Sequence, residues 1–481
     1  MIGRATTALL TILAAVPAAG RAAEETDWAR TPYAVQIVLS AADVPAYGPR
    51  FRDALAGDLL QRVEEVFGAT WEAGLVRAKG RVGADFTRRD DPSWKDLPAE
   101  WLLVKRAAID LRVEPPAESG LAAGKVMFVH FDVAPDGYTI TARDFDAFTR
   151  LWSAPRTDRV AHRAVLVDAA MRTLAEAFAP TGRIEAADRE TAQLVLRGAD
   201  LPLGDPSLVK VSAGSIFRPV VRYNERSGAA RRIEEIEWTF LSVDAVEGAA
   251  VKCALLTGVG SPLAGSRRGL TQQLAVLTVP PPGATRLTLV SRGARPRPLS
   301  GYDVYDASPG LPDPILLGRT DFSGGVLVPP ADRTLRVLLV KNGSELLARL
   351  PVVPGLAAEL TASVVNDDRR LEIEGFIIGL QEQVIDAVAR RHLFIQLIRK
   401  LLEEGNVAEA NKVLTALRTL GNRDSFLALL TERERTAVSA DQKVRKQVEK
   451  LMEDTRQVIL KYLDPIDVDA ISAEVLAAQT R

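Results

Sequence analysis

At about Glu372 the apolar residues of this 481-residue chain change their spacing from every second position to every third or fourth. Between about Glu190 and Arg292, runs such as "TAQLVLRG", "IEWTFLSVDAV" and "LTQQLAVLTV" are short, rich in Val, Leu and Thr, and broken by Gly, Pro and Asn. That is the pattern of half-buried strands. Beyond Glu372, Ile377, Leu380, Val384, Val388, Phe394, Ile398 and Leu401 fall on one helical stripe that ends at Gly405. One hydrophobic layer cannot serve both periods, and a prior of ~150 residues per domain already asks for about three domains. The chain must divide.

The expected class is a multidomain α+β protein. Residues 1–22 read as a signal peptide: Arg4 is followed by an apolar run from Ala5 to Val16, and Gly20 and Ala22 form a small-x-small cleavage pattern. The run is about half of the ~20 residues that span a bilayer, and no comparable stretch follows, so the mature chain is expected to be exported, soluble, and periplasmic or extracellular. Residues 31–188 read as a small α/β domain. "PYAVQIVLS" is a strand, Pro49 opens a helix closed by Gly68, "TWEAGLVRA" is a second strand, and a further helix is placed near Pro98. Two strands then join at Pro135-Asp136-Gly137, a third lies around "SAPRTDRVAH", and a closing helix stops at Pro180. Residues 190–292 read as a β-barrel or sandwich, with "VPPPGA" as a long turn before its last strand. Residues 296–365 form a second β module containing the Asn342-Gly343 hairpin. Residues 372–465 are a helical tail, and 466–481 read as a disordered end. In the last tail helix Val444, Val448, Leu451, Val458 and Tyr462 lie near heptad spacing, open either to the chain's own bundle or to another chain.

Lys plus Arg number 61 against 62 Asp plus Glu, so no charge excess draws the chain to nucleic acid. The lone Cys253, in "AAVKCALLTG", reads as a small core residue. His130 and Asp132 share a strand face but lack the third and fourth ligands that a metal needs. His162 and His392 need only a solvated role. Asp144 and Asp146 share a strand face and are the one pair that could run acid and base chemistry. Residues 119–126, "SGLAAGKV", fail as a phosphate loop because Ser119 and Val126 stand at the wrong positions. Residues 258–265, "GVGSPLAG", fail as a dinucleotide fingerprint. In "TDFSG" Asp321 is placed to cap a turn and Gly324 to take its left-handed position, against a nucleophilic Ser323. No catalytic, cofactor or metal residue is assigned, and no cofactor or nucleotide is expected.

Four resemblances bear on this reading. The strand-helix order of residues 31–188, with "ITARDFDAFTR" ending a meander strand, resembles the amino-terminal domain of TolB and of curli-secretion and flagellar-assembly proteins, which implies an interaction module without catalytic residues. "GRTDFSGGVLV" resembles the strand-turn-strand of carboxypeptidase-regulatory-like domains, which implies a transthyretin-type sandwich of about seven strands that positions other modules. "EGNVAEANKVLTAL" looks like half of a tetratricopeptide repeat, with no second copy about 34 residues away. The chain as a whole, through "RLPVVPGL" and "DDRRLEIEG", resembles uncharacterised exported bacterial proteins. The expectation is a non-enzymatic envelope scaffold, with envelope proteins as partners and self-association through the carboxy-terminal helices. The rival is a hydrolase of polysaccharide or peptidoglycan that uses Asp144 and Asp146.

Overall fold

The computed structural model describes residues 28–78, 85–87, 95, 97–102, 124–208, 210–226, 230–258, 260, 263, 271–436 and 441–480. The signal peptide expected over residues 1–22 lies outside them, as do most of the helix placed near Pro98 and much of the two rejected nucleotide motifs.

The first sheet contains β1 (Tyr33–Ala41), β2 (Trp71–Arg77), β3 (Lys125–Ala134), β4 (Gly137–Asp146), β5 (Leu151–Trp152) and β6 (Arg156–Val160), in the order β2-β1-β3-β4-β5 with β6 also on β4. β1 runs parallel to β2 and β3. Helices α1 (Pro49–Phe67) and α2 (Leu166–Ala177) cover one face, where Leu55, Leu59, Met171 and Leu174 meet Val35, Ile37, Val129 and Ile140. The other face is covered by an aromatic layer containing Phe86, Trp101, Phe128 and Trp152. Every residue of β1 is buried as a result, which is why apolar residues occupy both of its faces, interrupted only by the buried Gln36 and Ser40. Gly68 takes φ +50° and donates its N–H to Glu64, closing α1.

Seven strands follow: β7 (Thr181–Ala187), β8 (Thr191–Leu196), β9 (Ile216–Asn224), β10 (Ala230–Glu235), β11 (Thr239–Glu247), β12 (Ala250–Thr257) and β13 (Thr271–Thr278). Pairing of β9 with β13 closes the path β9-β11-β12-β8-β7-β13 into a barrel, and β10 hangs on β9 outside the ring. Closure leaves the ring without an open edge. Alternation sends Ala192, Leu194, Val251, Cys253 and Leu255 into its core.

The module borders differ from the sequence expectation. β7 belongs to the barrel although it precedes Glu190, because it forms a hairpin with β8; its Gly182, Arg183 and Glu185 mask the strand signal. The last strand expected before Arg292, β14 (Thr285–Ser291), instead pairs with β17 (Gly325–Val328) and β20 (Glu359–Val364). "VPPPGA" is therefore the connector between modules. The second sheet of this unit is β16 (Ile315–Arg319), β15 (Asp303–Asp306), β18 (Arg336–Asn342) and β19 (Glu345–Val352), in that order. The two sheets share a core of residues such as Leu287, Leu289, Val340 and Val352. Gly343 takes φ +60° in the β18–β19 turn.

The tail comprises α3 (Asp368–Glu403), α4 (Val407–Thr419), α5 (Arg423–Thr436), α6 (Gln442–Tyr462) and α7 (Ile466–Gln479). The amino-terminal half of α3 packs with α5 and α6 through Ile373, Ile377, Leu430, Val444 and Val448. Its other half packs with α4 and α7 through Ile398, Leu414, Ile471 and Val475. α7 corrects the expected disordered end: Ile471 and Val475 complete a second apolar cluster that the polar flanks of the segment obscured. α6 turns Val444 and Val448 into the chain's own bundle, leaving Tyr462 exposed. Among the described residues no helix is long and apolar enough to cross a membrane.

Candidate functional site

Lys125 opens β3 and Asp146 ends β4, and the antiparallel register sets them opposite each other, with Asp144 opposite Met127. All three point to the helix-covered face, where Met127, Val129 and Ile140 are apolar core. At its end that face becomes charged. Lys125 Nζ lies 3.0 Å from Asp144 Oδ2 and 2.8 Å from Asp146 Oδ2. The three side chains are 1%, 1% and 3% exposed.

The cluster grips the chain as it passes from α2 into the barrel. Lys125 donates to Ala179 O at 2.6 Å, Ala179 N donates to Asp144 Oδ2 at 2.9 Å, and Thr181 Oγ1 donates to Asp146 Oδ2 at 2.5 Å. Tyr33 OH, on β1, accepts from Thr181 N at 3.0 Å. Phe148 N and Thr149 N each donate to Asp146 Oδ1 at 2.9 Å. Arg197 and Arg222 add bonds across the same junction, to Pro32 O at 2.7 Å and Phe148 O at 3.0 Å. Lys125 also lies 5.4 Å from the centre of the Phe178 ring.

Two carboxylates share one ammonium, so their environments drive them apart. Burial pushes Asp144 up to about 6 against the pull of Lys125. Burial acts on Asp146 in the same direction, but Lys125, Thr181 and the Thr149 N–H together outweigh it and hold the group below the ordinary carboxylate range. Burial disfavours the Lys125 ammonium, and the two aspartates overcome it, raising the lysine above its ordinary value. Oδ1 of Asp144 is buried without a hydrogen-bond partner among the described residues.

The arrangement resembles an acid–base pair in composition and differs in access. The cleft beside it, lined by Ser153, Arg156, Glu176, Ala179 and Arg218, holds about 20 Å³ and does not include either aspartate. That is room for about one water. A larger cavity of 360 Å³ lies in the helical tail beside Arg391, Arg418 and Asp469 and shares no residue with the cluster.

The other sequence candidates are dispersed. His130 is buried on the opposite sheet face with its Nδ1 2.8 Å from Ser40 Oγ. His162 and His392 are exposed. Among the described residues no group of three or more His, Cys, Asp and Glu could hold a metal. Cys253 lines the barrel core, and burial pushes its thiol up to about 12. Ser323 donates its hydroxyl to Asp321 Oδ1 at 2.7 Å, in a turn where Asp321 Oδ1 also accepts from Ser323 N and Gly325 N. Sequence reasoning missed Lys125, which entered only as part of a failed phosphate loop. Its signal was present: counting outward in step from Pro135-Asp136 sets Lys125 against Asp146.

No family model matches the chain, and no curated protein matches it. Among solved structures it has weak likenesses to TolB from Acinetobacter baumannii (13% identity, 68% of this chain and 84% of that one, TM-score 0.15) and to BcpA, the major pilin subunit of Bacillus cereus (11% identity, 50% and 71%, TM-score 0.13). At those scores the likenesses carry no functional argument.

Proposed function

We propose that the protein is a non-enzymatic scaffold of the bacterial envelope, exported as a folded series of modules whose helical tail engages protein partners. The observation that carries this reading is the placement of Asp144 and Asp146. Their Oδ2 atoms are directed at Lys125 and the 179–181 connector, and both side chains are sealed from solvent, so the pair fastens a domain junction instead of facing a substrate.

The other two junctions are fastened as well, one by apolar packing and one by buried polar contacts. Ile216 of the barrel packs with Leu335 and Val353 of the sandwich. Tyr302 OH donates to Asp368 Oδ1 at 2.9 Å and accepts from Asp367 N at 3.0 Å, while Arg370 pairs with the buried Asp367 and reaches Asn342 O at 2.9 Å. Apolar packing and buried polar groups paired across a border hold the modules in one mutual orientation. Fixed orientation is what a presenting surface needs.

In-cell cross-linking with mass spectrometry on the full chain tests the reading. Cross-linked peptides from other envelope proteins or from a second copy, mapping to the tail, are expected, and intact mass should show the loss of 22 residues. The rival polymer hydrolase requires Asp144 and Asp146 in the reaction. Peptidoglycan or polysaccharide cleavage by the purified chain that disappears in Asp144→Asn/Asp146→Asn, with the melting curve unchanged, would replace the scaffold by the enzyme.

A further inference from the structure

Helix α3 is apolar on two opposite faces. Ile373, Ile377, Leu380, Val384, Ile395 and Ile398 are buried in the bundle. The reverse face carries Leu371, Ile378, Ile385 and Leu393, exposed by 39%, 53%, 68% and 64%. Leu371, Ile378 and Ile385 are seven residues apart, the repeat that keeps one seam facing a partner helix over many turns. A helix covered on one side by its own bundle normally places polar residues on the other. Gly375 and Gly379 belong to the same region, and a side chain added at either would meet no heavy atom within 4 Å. Among the described residues no close contact requires these glycines, although glycine weakens a helix interior.

We propose that this face is the seam of a two-fold dimer in which α3 of a second copy packs antiparallel along it. The inference rests on the scaffold reading and names its partner. Charge sets the direction. In the first half of α3, Asp368, Glu372, Glu374 and Glu382 outnumber Arg369 and Arg370; in the second half Arg390, Arg391, Arg399 and Lys400 outnumber Asp386 and Glu403. A parallel pair sets like charge against like, whereas an antiparallel pair sets each acidic half on a basic half. A two-fold axis near Ile385 satisfies both copies at once, as an isologous interface must. It brings Ile378 of one copy beside Leu393 of the other and lets a partner backbone approach over Gly375 and Gly379.

Size also permits a second copy. At 1.5 Å per residue a helix of this length runs about 54 Å, and a contact strip roughly 10 Å wide removes on the order of 1,000 Å² in total, the lower end for specific interfaces. A modest affinity, in the micromolar range, is therefore expected.

The test is sedimentation velocity of the full chain from about 1 to 100 µM. A concentration-dependent dimer is expected, with Ile385→Glu/Leu393→Glu raising the dissociation constant by at least ~100-fold. Both side chains are exposed in the single chain, so at concentrations below the dissociation constant, where wild type is monomeric, the melting temperature should stay unchanged. Ile378→Cys mixed with Leu393→Cys should form an intermolecular disulfide faster than either variant alone. A monomer throughout the range, a dimer indifferent to Ile385→Glu/Leu393→Glu, or preferential Ile378→Cys self-coupling would overturn the proposal. If the chain is monomeric yet in-cell cross-linking captures another envelope protein on the tail, the scaffold stands and the dimer falls. Capture of no protein at all removes both.

Discussion

Asp321 sits at a loop tip and accepts from Ser323 Oγ, Ser323 N and Gly325 N, with Arg286 2.6 Å from its other oxygen. Asp144 also has a cation and a backbone N–H against it, at 3.0 and 2.9 Å. Their acidities move in opposite directions. The Ser323 hydroxyl, the Gly325 N–H and Arg286 hold Asp321 well below the ordinary range, whereas burial carries Asp144 up to about 6. Asp321 keeps 39% of its side chain exposed and Asp144 keeps 1%. The lesson is that the kind of partner does not set the sign of the shift. Loss of water outweighs one cation shared between two acids, and near solvent several donors act on an anion that is still hydrated.

The largest effect is expected at Lys125. Lys125→Met leaves two buried carboxylates without their counter-charge and should cost about 3–5 kcal/mol of unfolding free energy in urea titration. Adding Asp144→Asn and Asp146→Asn to it should restore more than half, because the penalty comes from uncompensated charge and the donors around Asp146 can still serve an amide. A triple variant no more stable than Lys125→Met would mean that packing, not charge, holds the junction. At the loop, backbone geometry outweighs charge. Gly324 takes φ +77°, and a Cβ there would lie 2.4 Å from Leu289 O, so Gly324→Val should destabilise by more than ~1 kcal/mol in the same titration. A neutral Gly324→Val would detach this loop from the fold.

Much of the architecture was legible because it rests on local signals. The Pro135-Asp136-Gly137 and Asn342-Gly343 turns fix their hairpins, Gly68 and Pro49 bracket α1, and Cys253 alternates into the barrel core. Illegible features depend on contacts distant in sequence. Whether β14 closes the barrel or starts the next sheet is decided by β20, more than sixty residues later, whose parallel pairing no local pattern announces. The aspartate pair was visible, but its burial was not, since it depends on α2 returning over the end of β4 to place Ala179 and Thr181 on the carboxylates. The second apolar face of α3 was hidden by the first: both satisfy a helical period.

The two acids should also divide by pH. A group whose folded pKa is raised stabilises most below its unfolded value and loses that contribution as pH rises to the folded value; for Asp144 the loss starts in the ordinary carboxylate range and is nearly complete a little above 6. Relative to Asp144→Asn, the wild-type chain should lose stability between pH 5 and 7, on the order of 1 kcal/mol. Asp321 has the depressed pattern, so its contribution is present above the unfolded value and fades only as pH falls through its lowered one. Chemical denaturation of wild type, Asp144→Asn and Asp321→Asn at pH 5, 6 and 7 separates them. An Asp144 curve parallel to that of Asp321 would erase the contrast between buried and exposed sites.

The smallest change is expected at Ser323, where the two readings of the loop part most cleanly. Its hydroxyl donates to Asp321 at 2.7 Å and accepts from Arg286 at 3.0 Å. Ser323→Ala removes both bonds but leaves Asp321 its two backbone donors and the Arg286 pair, and the site is open enough for water to substitute. The loss should stay within about 1 kcal/mol, the net worth of a partly exposed hydrogen bond. Calorimetry on Ser323→Ala and Gly324→Val together measures the ratio: a turn built by backbone geometry predicts a much larger fall for Gly324→Val. If Ser323→Ala instead abolished a hydrolytic activity at unchanged melting temperature, the loop would be chemical, and the contrast with Asp144 would have to be redrawn as one between an open reactive cluster and a closed structural one.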